Sequence, residues 1–86
     1  MGFFEVRKRW PKLGTRVHVE WMDCAGYIGA ALSEATPLPC WTEGVLVKSH
    51  KDYVVLASSM YSGEGSDPTG DFTAIPKGWI TKVKSI

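Results

Sequence analysis

The sequence has no run of about 18 consecutive apolar residues, which is the length that a membrane-spanning helix needs. It begins without a basic stretch followed by an apolar core, so we expect no secretory signal and a cytoplasmic location. It has only two cysteines, Cys24 and Cys40, with no CxxC spacing and no neighbouring pair of histidines. This pattern favours two reduced thiols over a zinc site, and a disulfide would require an oxidising compartment that nothing in the sequence indicates.

Net charge is also almost absent, because ten Lys and Arg residues stand against nine Asp and Glu residues. The distribution is uneven. Residues 1–16 hold five basic residues and one acidic residue. Residues 17–76 hold two basic and eight acidic residues, and residues 77–86 hold three lysines and no acidic residue. The whole-domain basic character of most nucleic-acid-binding domains is therefore missing. If the two ends of the chain lie side by side, they form one basic face opposite an acidic one.

The composition is that of one small folded domain. The 86 residues are 44% hydrophobic and include four Trp, three Tyr and three Phe, which is far more aromatic content than a disordered chain carries. A chain of this length folds as a single unit with a small core. We predict a basic, aromatic arm over residues 1–13 and a single β-barrel domain over residues 14–86.

Alternating and apolar segments predict a mainly β fold. Val17, Val19 and Trp21 alternate with polar residues and should share the buried face of a first strand. The apolar segment 53–59 should form a central strand. Five short strands with a tight turn at 76–78 indicate a strongly bent, partly open small barrel of the Sm-like or Src-homology type. The predicted strands are 16–22, 41–49, 53–59, 72–75 and 79–86.

Two connections interrupt the strands. Residues 23–39 form an excursion of seventeen residues, with a short helix at 28–35 or an irregular path, and connections of this length are often functional. Residues 62–71 form a glycine-rich loop whose acids and lack of lysine argue against a phosphate cradle. Gly44, inside the second strand, predicts a bulge or a close backbone approach.

The start of the long excursion is the predicted ligand site. Asp23 would accept hydrogen bonds from ribose hydroxyls or a base amino group, and Trp21, Tyr27 or Trp41 would offer a stacking face, with Thr42 beside them. The alternative is structural: Asp23 caps the following turn, and Trp21 belongs to the core. Because so small a barrel has little room for a cavity, we expect the pocket to be completed across an interface between copies. The uncharged edge at 72–75 also favours a homo-oligomer.

The N-terminal arm is a second candidate surface. Its cations and aromatic ring could neutralise phosphates and stack on a base, which is the alternative function of nucleic-acid binding or assembly. It could equally be a solvated arm, or dock on the acidic middle of a second copy. The residues concerned are Arg7, Lys8, Arg9, Trp10 and Lys12.

Catalytic chemistry has little support in the sequence. His18 and His50 lie on different predicted elements, and neither has a carboxylate or a cysteine at ligand spacing. Pairing Cys24 or Cys40 with His18 as a nucleophile would depend on an arrangement that spacing does not establish. We therefore expect a binding protein rather than an enzyme, with no catalytic residues, no metal and no cofactor.

Three motifs give the chain a family resemblance. They are Trp-x-Asp at 21–23, Cys-x-Thr-x-Gly at 40–44 and Ile-Pro-Lys-Gly-x-Ile at 75–80. Over about residues 14–86 the chain resembles short proteins of unknown role that bacteriophages encode, whereas the basic arm does not match that pattern. The resemblance implies a viral origin, a small barrel and the host cytoplasm. By analogy, it also implies a counter-defence factor that sequesters a nucleotide-type messenger or inhibits a host immune protein.

Overall fold

Five antiparallel strands form one sheet in the computed structural model, which describes residues 10–61 and 67–86. The spatial order is β4-β3-β2-β1-β5, and the sheet is not closed. The prediction of a mainly β fold with five strands is confirmed. The strands are β1 (Arg16–Asp23), β2 (Leu38–Ser49), β3 (Tyr53–Met60), β4 (Gly70–Pro76) and β5 (Ile80–Ser85).

The helical content of the described chain is limited to two 3₁₀ turns, at Leu32–Glu34 and Lys77–Trp79. The short helix predicted at 28–35 therefore shrinks to one turn in an otherwise irregular connection. Two features oppose a longer helix there: Gly29 adopts a left-handed conformation with φ of 69°, and the turn buries no residue. Within the described residues, no helix is long and apolar enough to cross a membrane.

One face of the sheet, here called the core face, carries the hydrophobic core. All five strands contribute fully buried side chains to it, and Trp10, Trp21 and Val83 pack against its margin. The second 3₁₀ turn contacts both β1 and β3, which are not neighbours in the sheet, so the chain bends over this face. The buried core residues are Val17, Val19, Leu46, Val54, Leu56, Ile75 and Ile80. The predicted inward face of β1 is thus confirmed.

β2 is longer than predicted and lies in the middle of the sheet, and the apolar β3 beside it is an interior strand, as predicted, with β2 and β4 on its two sides. β2 begins at Leu38 because Leu38 pairs with Asp23, which reduces the long connection to residues 24–37. Pro39 is tolerated inside the strand because β2 pairs only with β1 at this point, and pairing with β3 starts at Val45. The missing amide of Pro39 therefore costs no hydrogen bond between strands.

The last two strands also differ in extent from the prediction. β4 begins at Gly70, so Gly70 and Asp71 belong to the sheet and not to the preceding loop. β5 begins at Ile80 because Trp79 lies in the 3₁₀ turn. Residues 62–66 of the predicted glycine-rich loop lie outside the described residues.

Asp71 anchors the start of β4 to the end of β3. Its Oδ2 accepts hydrogen bonds from Ser59 Oγ and from the Tyr61 hydroxyl, both at 2.7 Å. The Tyr61 amide donates to the Thr69 carbonyl at 2.8 Å, which closes the base of the loop. The two side-chain hydrogen bonds, Ser59 first, lower the pKa of Asp71 below its ordinary value of 3.8.

We expect this carboxylate to make stability depend on acidic pH. Because the pKa of Asp71 is lower in the folded than in the unfolded chain, its contribution is complete above about pH 3.8 and is lost as the pH falls through the folded-state pKa. Thermal melts across this range should therefore show Asp71→Asn less stable than the wild type at neutral pH, with the difference shrinking in acid. Tyr61→Phe, which removes one of the two hydrogen-bond donors to Asp71, should show a dependence of Tm on pH between those of the wild type and Asp71→Asn. If the Tm of the wild type and that of Asp71→Asn changed in parallel with pH, Asp71 would not link stability to pH.

Candidate functional site

A groove of about 320 Å³ lies where β1 ends and β5 begins. We call it the Trp79 groove. Pro37 of the long connection borders this shallow groove on one side, and Gly78 and Trp79 of the second 3₁₀ turn border it on another. The antiparallel pairing of β1 with β5 joins Trp21 to Ile80 and so sets the two strand ends together. The lining residues are Met22, Asp23, Cys24, Pro37, Gly78, Trp79 and Thr81.

The aromatic wall of the groove is a supported tryptophan. The Trp79 side chain is 41% exposed and stacks on Trp21, with ring centroids 6.4 Å apart and planes 18° apart. Trp21 is half-buried against the core, and its Nε1 donates a hydrogen bond to Thr42 Oγ1 at 3.0 Å. Trp79 thus presents a ring whose orientation is fixed from behind, which suits it to stacking against a planar group.

Asp23 supplies the acceptor in the same groove. One carboxylate oxygen, Oδ1, accepts a hydrogen bond from the Cys24 amide at 2.8 Å, so the local turn-capping role is present. Within the described part of the chain, no group donates to the other oxygen. A carboxylate oxygen has capacity for further donors, so Asp23 can cap its turn and still accept from a ligand.

Tyr27 and Thr42 have structural partners of their own. The Tyr27 hydroxyl donates to the Thr36 carbonyl at 2.8 Å and so ties the two ends of the long connection together. Thr42 lies beneath Trp21 as the acceptor of its indole N–H. Neither residue lines the Trp79 groove.

Trp41 lies on the opposite face of the sheet from Trp21, here called the outer face. Its cross-strand partner is Glu20, and successive residues of a strand point to opposite faces, so Glu20 and Trp41 share the face that Trp21 does not. Trp41 is 66% exposed and stacks on His18, with centroids 5.6 Å apart. Of the predicted pocket, the structure therefore brings Trp21, Asp23 and Thr42 to one side and leaves Trp41 on the other.

The outer face also gives His18 two carboxylate neighbours that sequence spacing did not indicate. Nδ1 of His18 lies 2.7 Å from Glu43 Oε2, and Nε2 lies 3.1 Å from Glu20 Oε2. The pairing of His18 with Glu43 across β1 and β2 creates the closer contact. His50 remains in the hairpin turn, where its ring stacks on Tyr53. Within residues 10–61 and 67–86, no three His, Cys, Asp or Glu side chains converge to hold a metal ion.

The predicted basic arm is described only from Trp10 onward, so Arg7, Lys8 and Arg9 lie outside the described residues. Trp10 is not an open stacking face, because it is half-buried and packs against the core. The Lys77 ammonium lies 5.7 Å from the centre of its ring. Lys12 is exposed.

The two cysteines are unpaired, as predicted. Cys24 is exposed in the wall of the Trp79 groove, and Cys40 is half-buried in β2. The Cys40 thiol lies 3.6 Å from the Leu38 carbonyl, an interaction within its own strand.

Sequence reasoning missed Trp79, which it placed in the last strand as an ordinary strand residue. The available signal was its position directly after Pro76, Lys77 and Gly78, because a tight turn can project the following side chain out of the sheet. Comparison with known proteins gives no relative to assist the assignment: no protein-family model, curated protein or solved structure matches this chain.

Proposed function

We propose that the protein is a non-enzymatic binding protein that holds a small nucleotide-type ligand in the Trp79 groove. The observation that supports this most strongly is the Trp79 ring, stacked on Trp21 from behind and placed beside the Asp23 carboxylate. A planar ligand needs these two features together: a fixed aromatic surface and a nearby acceptor.

The chemistry of the groove suits a nucleobase or a ribose more than a phosphate. Stacking of one base on an aromatic side chain contributes about 1–3 kcal/mol. Asp23 would accept from an exocyclic amino group or a ribose hydroxyl, but its charge would repel a phosphate placed against it. The phosphates of a bound nucleotide would therefore project out of the groove.

We propose further that the open sheet belongs to a partly open small barrel of the Src-homology type. Two features support this: the strand order β4-β3-β2-β1-β5, and the 3₁₀ turn between β4 and β5 that crosses over the core face. In such an arrangement, the Trp79 groove lies at one end of the barrel, where strand ends and connections meet. Ligand sites often lie at such ends because backbone groups and loop side chains converge there.

The resemblance to small bacteriophage proteins suggests a biological setting for such a site. A phage protein that binds a nucleotide-type messenger in the host cytoplasm would lower the free concentration of that messenger. We therefore propose a counter-defence factor that acts by sequestration. Binding alone is sufficient for this role, and no chemical step is required of the groove.

A panel of nucleotide-type messengers tests the proposal by thermal shift. Cyclic dinucleotides and ADP-ribose-type compounds would be added separately to the full-length protein. A ligand at about one hundred times its Kd stabilises the folded state by about 2.7 kcal/mol, which raises the Tm of a domain of this size by roughly 10 °C or more. Adenosine, which has the base and the ribose but no phosphates, serves as a control for recognition of the nucleoside alone. A Tm unchanged by the entire panel would contradict nucleotide sequestration.

A second candidate, inhibition of a host protein, is favoured by one specific observation. Ile28 and Leu32 in the long connection are 102% and 91% exposed, and apolar side chains exposed to this degree mark interaction surfaces when they cluster. This reading predicts an unchanged Tm across the panel together with a host protein that co-purifies with the wild type. Co-purification should then be lost in an Ile28→Ser, Leu32→Ser double variant that remains folded.

A further inference from the structure

We infer that the protein forms a symmetric dimer through β4, whose outer edge pairs antiparallel with β4 of a second copy. Backbone donors and acceptors along an unpaired strand edge favour addition of another strand. In the described part of the chain, the edges without a neighbouring strand include β4, β5 and the first half of β2. The inference concerns a surface separate from the Trp79 groove and goes beyond the proposed function.

The three edges differ in how well they are protected against pairing. β5 carries Lys82 and Lys84, and the open half of β2 carries Pro39 and Glu43. Charged residues and proline are the usual means by which edge strands avoid association. β4 also carries a charge and a proline, Asp71 and Pro76, but each lies near an end of the strand, and residues 72–75 between them hold neither. Of the three, β4 therefore has the longest stretch without a charge or a proline, and it is the edge most open to a partner strand.

A mainly apolar pocket of about 440 Å³, with Lys48 and Asp67 among its lining residues, adjoins this edge on the outer face. Phe72 pairs with Ala57 and Ala74 pairs with Val55, which places these side chains on the same face. Phe72 and Met60 are 43% and 47% exposed although both are large and apolar. The pocket is lined by Val47, Lys48, Val55, Met60, Asp67, Pro68 and Phe72.

β4 is self-complementary, which identifies the partner as a second copy. A two-fold axis through Thr73 would place Phe72 of each copy beside the second copy's Ala74, so that the large ring faces a small side chain. Asp71 would then oppose the second copy's Ile75, so no two like charges meet across the interface. The two outer-face pockets would become continuous across the new strand pair, which would cover the exposed Phe72 rings.

The test is the mass of the full-length protein in solution, measured by sedimentation at micromolar concentrations. The wild type should sediment as twice the 9.5 kDa of one chain. Thr73→Lys would oppose two lysines at the two-fold axis and should raise the dissociation constant at least about tenfold. Ser85→Lys, which adds the same charge to the β5 edge, should leave the dimer intact. Circular dichroism checks that each variant is folded.

A crosslinking variant keeps the test decisive if Thr73→Lys does not fold. With Cys24 and Cys40 replaced by Ser, Thr73→Cys should form an intermolecular disulfide under mild oxidation. This is because paired Cα atoms in antiparallel strands lie about 4.5–5.5 Å apart, within disulfide range. A wild type that stays monomeric throughout the micromolar range would overturn the inference. So would a dimer that neither Thr73→Lys weakens nor Thr73→Cys crosslinks.

Discussion

Replacing Trp79 with alanine is expected to weaken binding of a nucleotide-type ligand by about 5- to 150-fold, the equivalent of losing 1–3 kcal/mol of stacking. The side chain is partly exposed and lies outside the fully buried core, so the variant should fold. Trp21 would remain anchored by its hydrogen bond to Thr42 and would lose only the ring that covers it. Titration calorimetry with the ligand found in the thermal-shift panel measures the change.

Trp41→Ala is the matched control, because it removes the same side chain from the opposite face. Trp41 is more exposed than Trp79 and contacts His18, not the groove. Its loss should leave the Kd unchanged within about twofold. If Trp41→Ala abolished binding while Trp79→Ala retained it, the ligand would bind on the outer face, and the Trp79 groove would be the wrong site.

Gly44→Ala is expected to lower the free energy of unfolding by about 2 kcal/mol. A Cβ at Gly44 would lie 2.7 Å from the Ala57 carbonyl oxygen and 3.2 Å from its carbon, and both are backbone atoms of the neighbouring strand. Overpacking of this kind costs about 1–3 kcal/mol, and the reduced flexibility of the unfolded chain offsets only about 0.4–1 kcal/mol of it. The close approach predicted for Gly44 is confirmed by this distance.

Gly26→Ala provides the control for the effect of the substitution on the unfolded chain. A Cβ at Gly26 would meet no atom within 4 Å, and its φ is not left-handed. Urea denaturation should therefore show Gly26→Ala as stable as the wild type or slightly more so, and Gly44→Ala clearly less stable. Equal midpoints for the two variants would show that the β2 and β3 backbones separate without cost at Gly44.

Much of the fold follows from local pattern. The alternation of Val17 and Val19 predicted the buried face of β1, and the turn residues after Ile75 predicted a tight connection into the last strand. Both signals depend on short-range geometry, which a sequence displays directly. The start of β2 at Leu38 was missed because Pro39 normally breaks a strand. Pro39 is tolerated here because β3 does not pair with this part of β2, which the local sequence does not indicate.

The candidate site was less accessible because it depends on register. Proximity in the chain to the long connection grouped Trp21 with Trp41, but the pairing of Glu20 with Trp41 places the two rings on opposite faces. The contact between His18 and Glu43 arises from the same register. A shift of one residue in the pairing would reverse these assignments, and no local pattern in β2 specifies it. Asp23, expected just after the first strand, is its last residue and lines the groove, whereas Trp79 in the same groove was not predicted as a site residue.

The most direct test of the central claim is the NMR spectrum of the four indole N–H groups during titration with a nucleotide-type ligand. ADP-ribose and a cyclic dinucleotide would be the two probes, with each signal assigned by single Trp→Phe variants. Binding in the Trp79 groove predicts a large shift of the Trp79 signal and a smaller shift of Trp21, with Trp10 and Trp41 unchanged. A spectrum that neither probe alters, or one in which Trp41 alone responds, would contradict nucleotide binding in this groove.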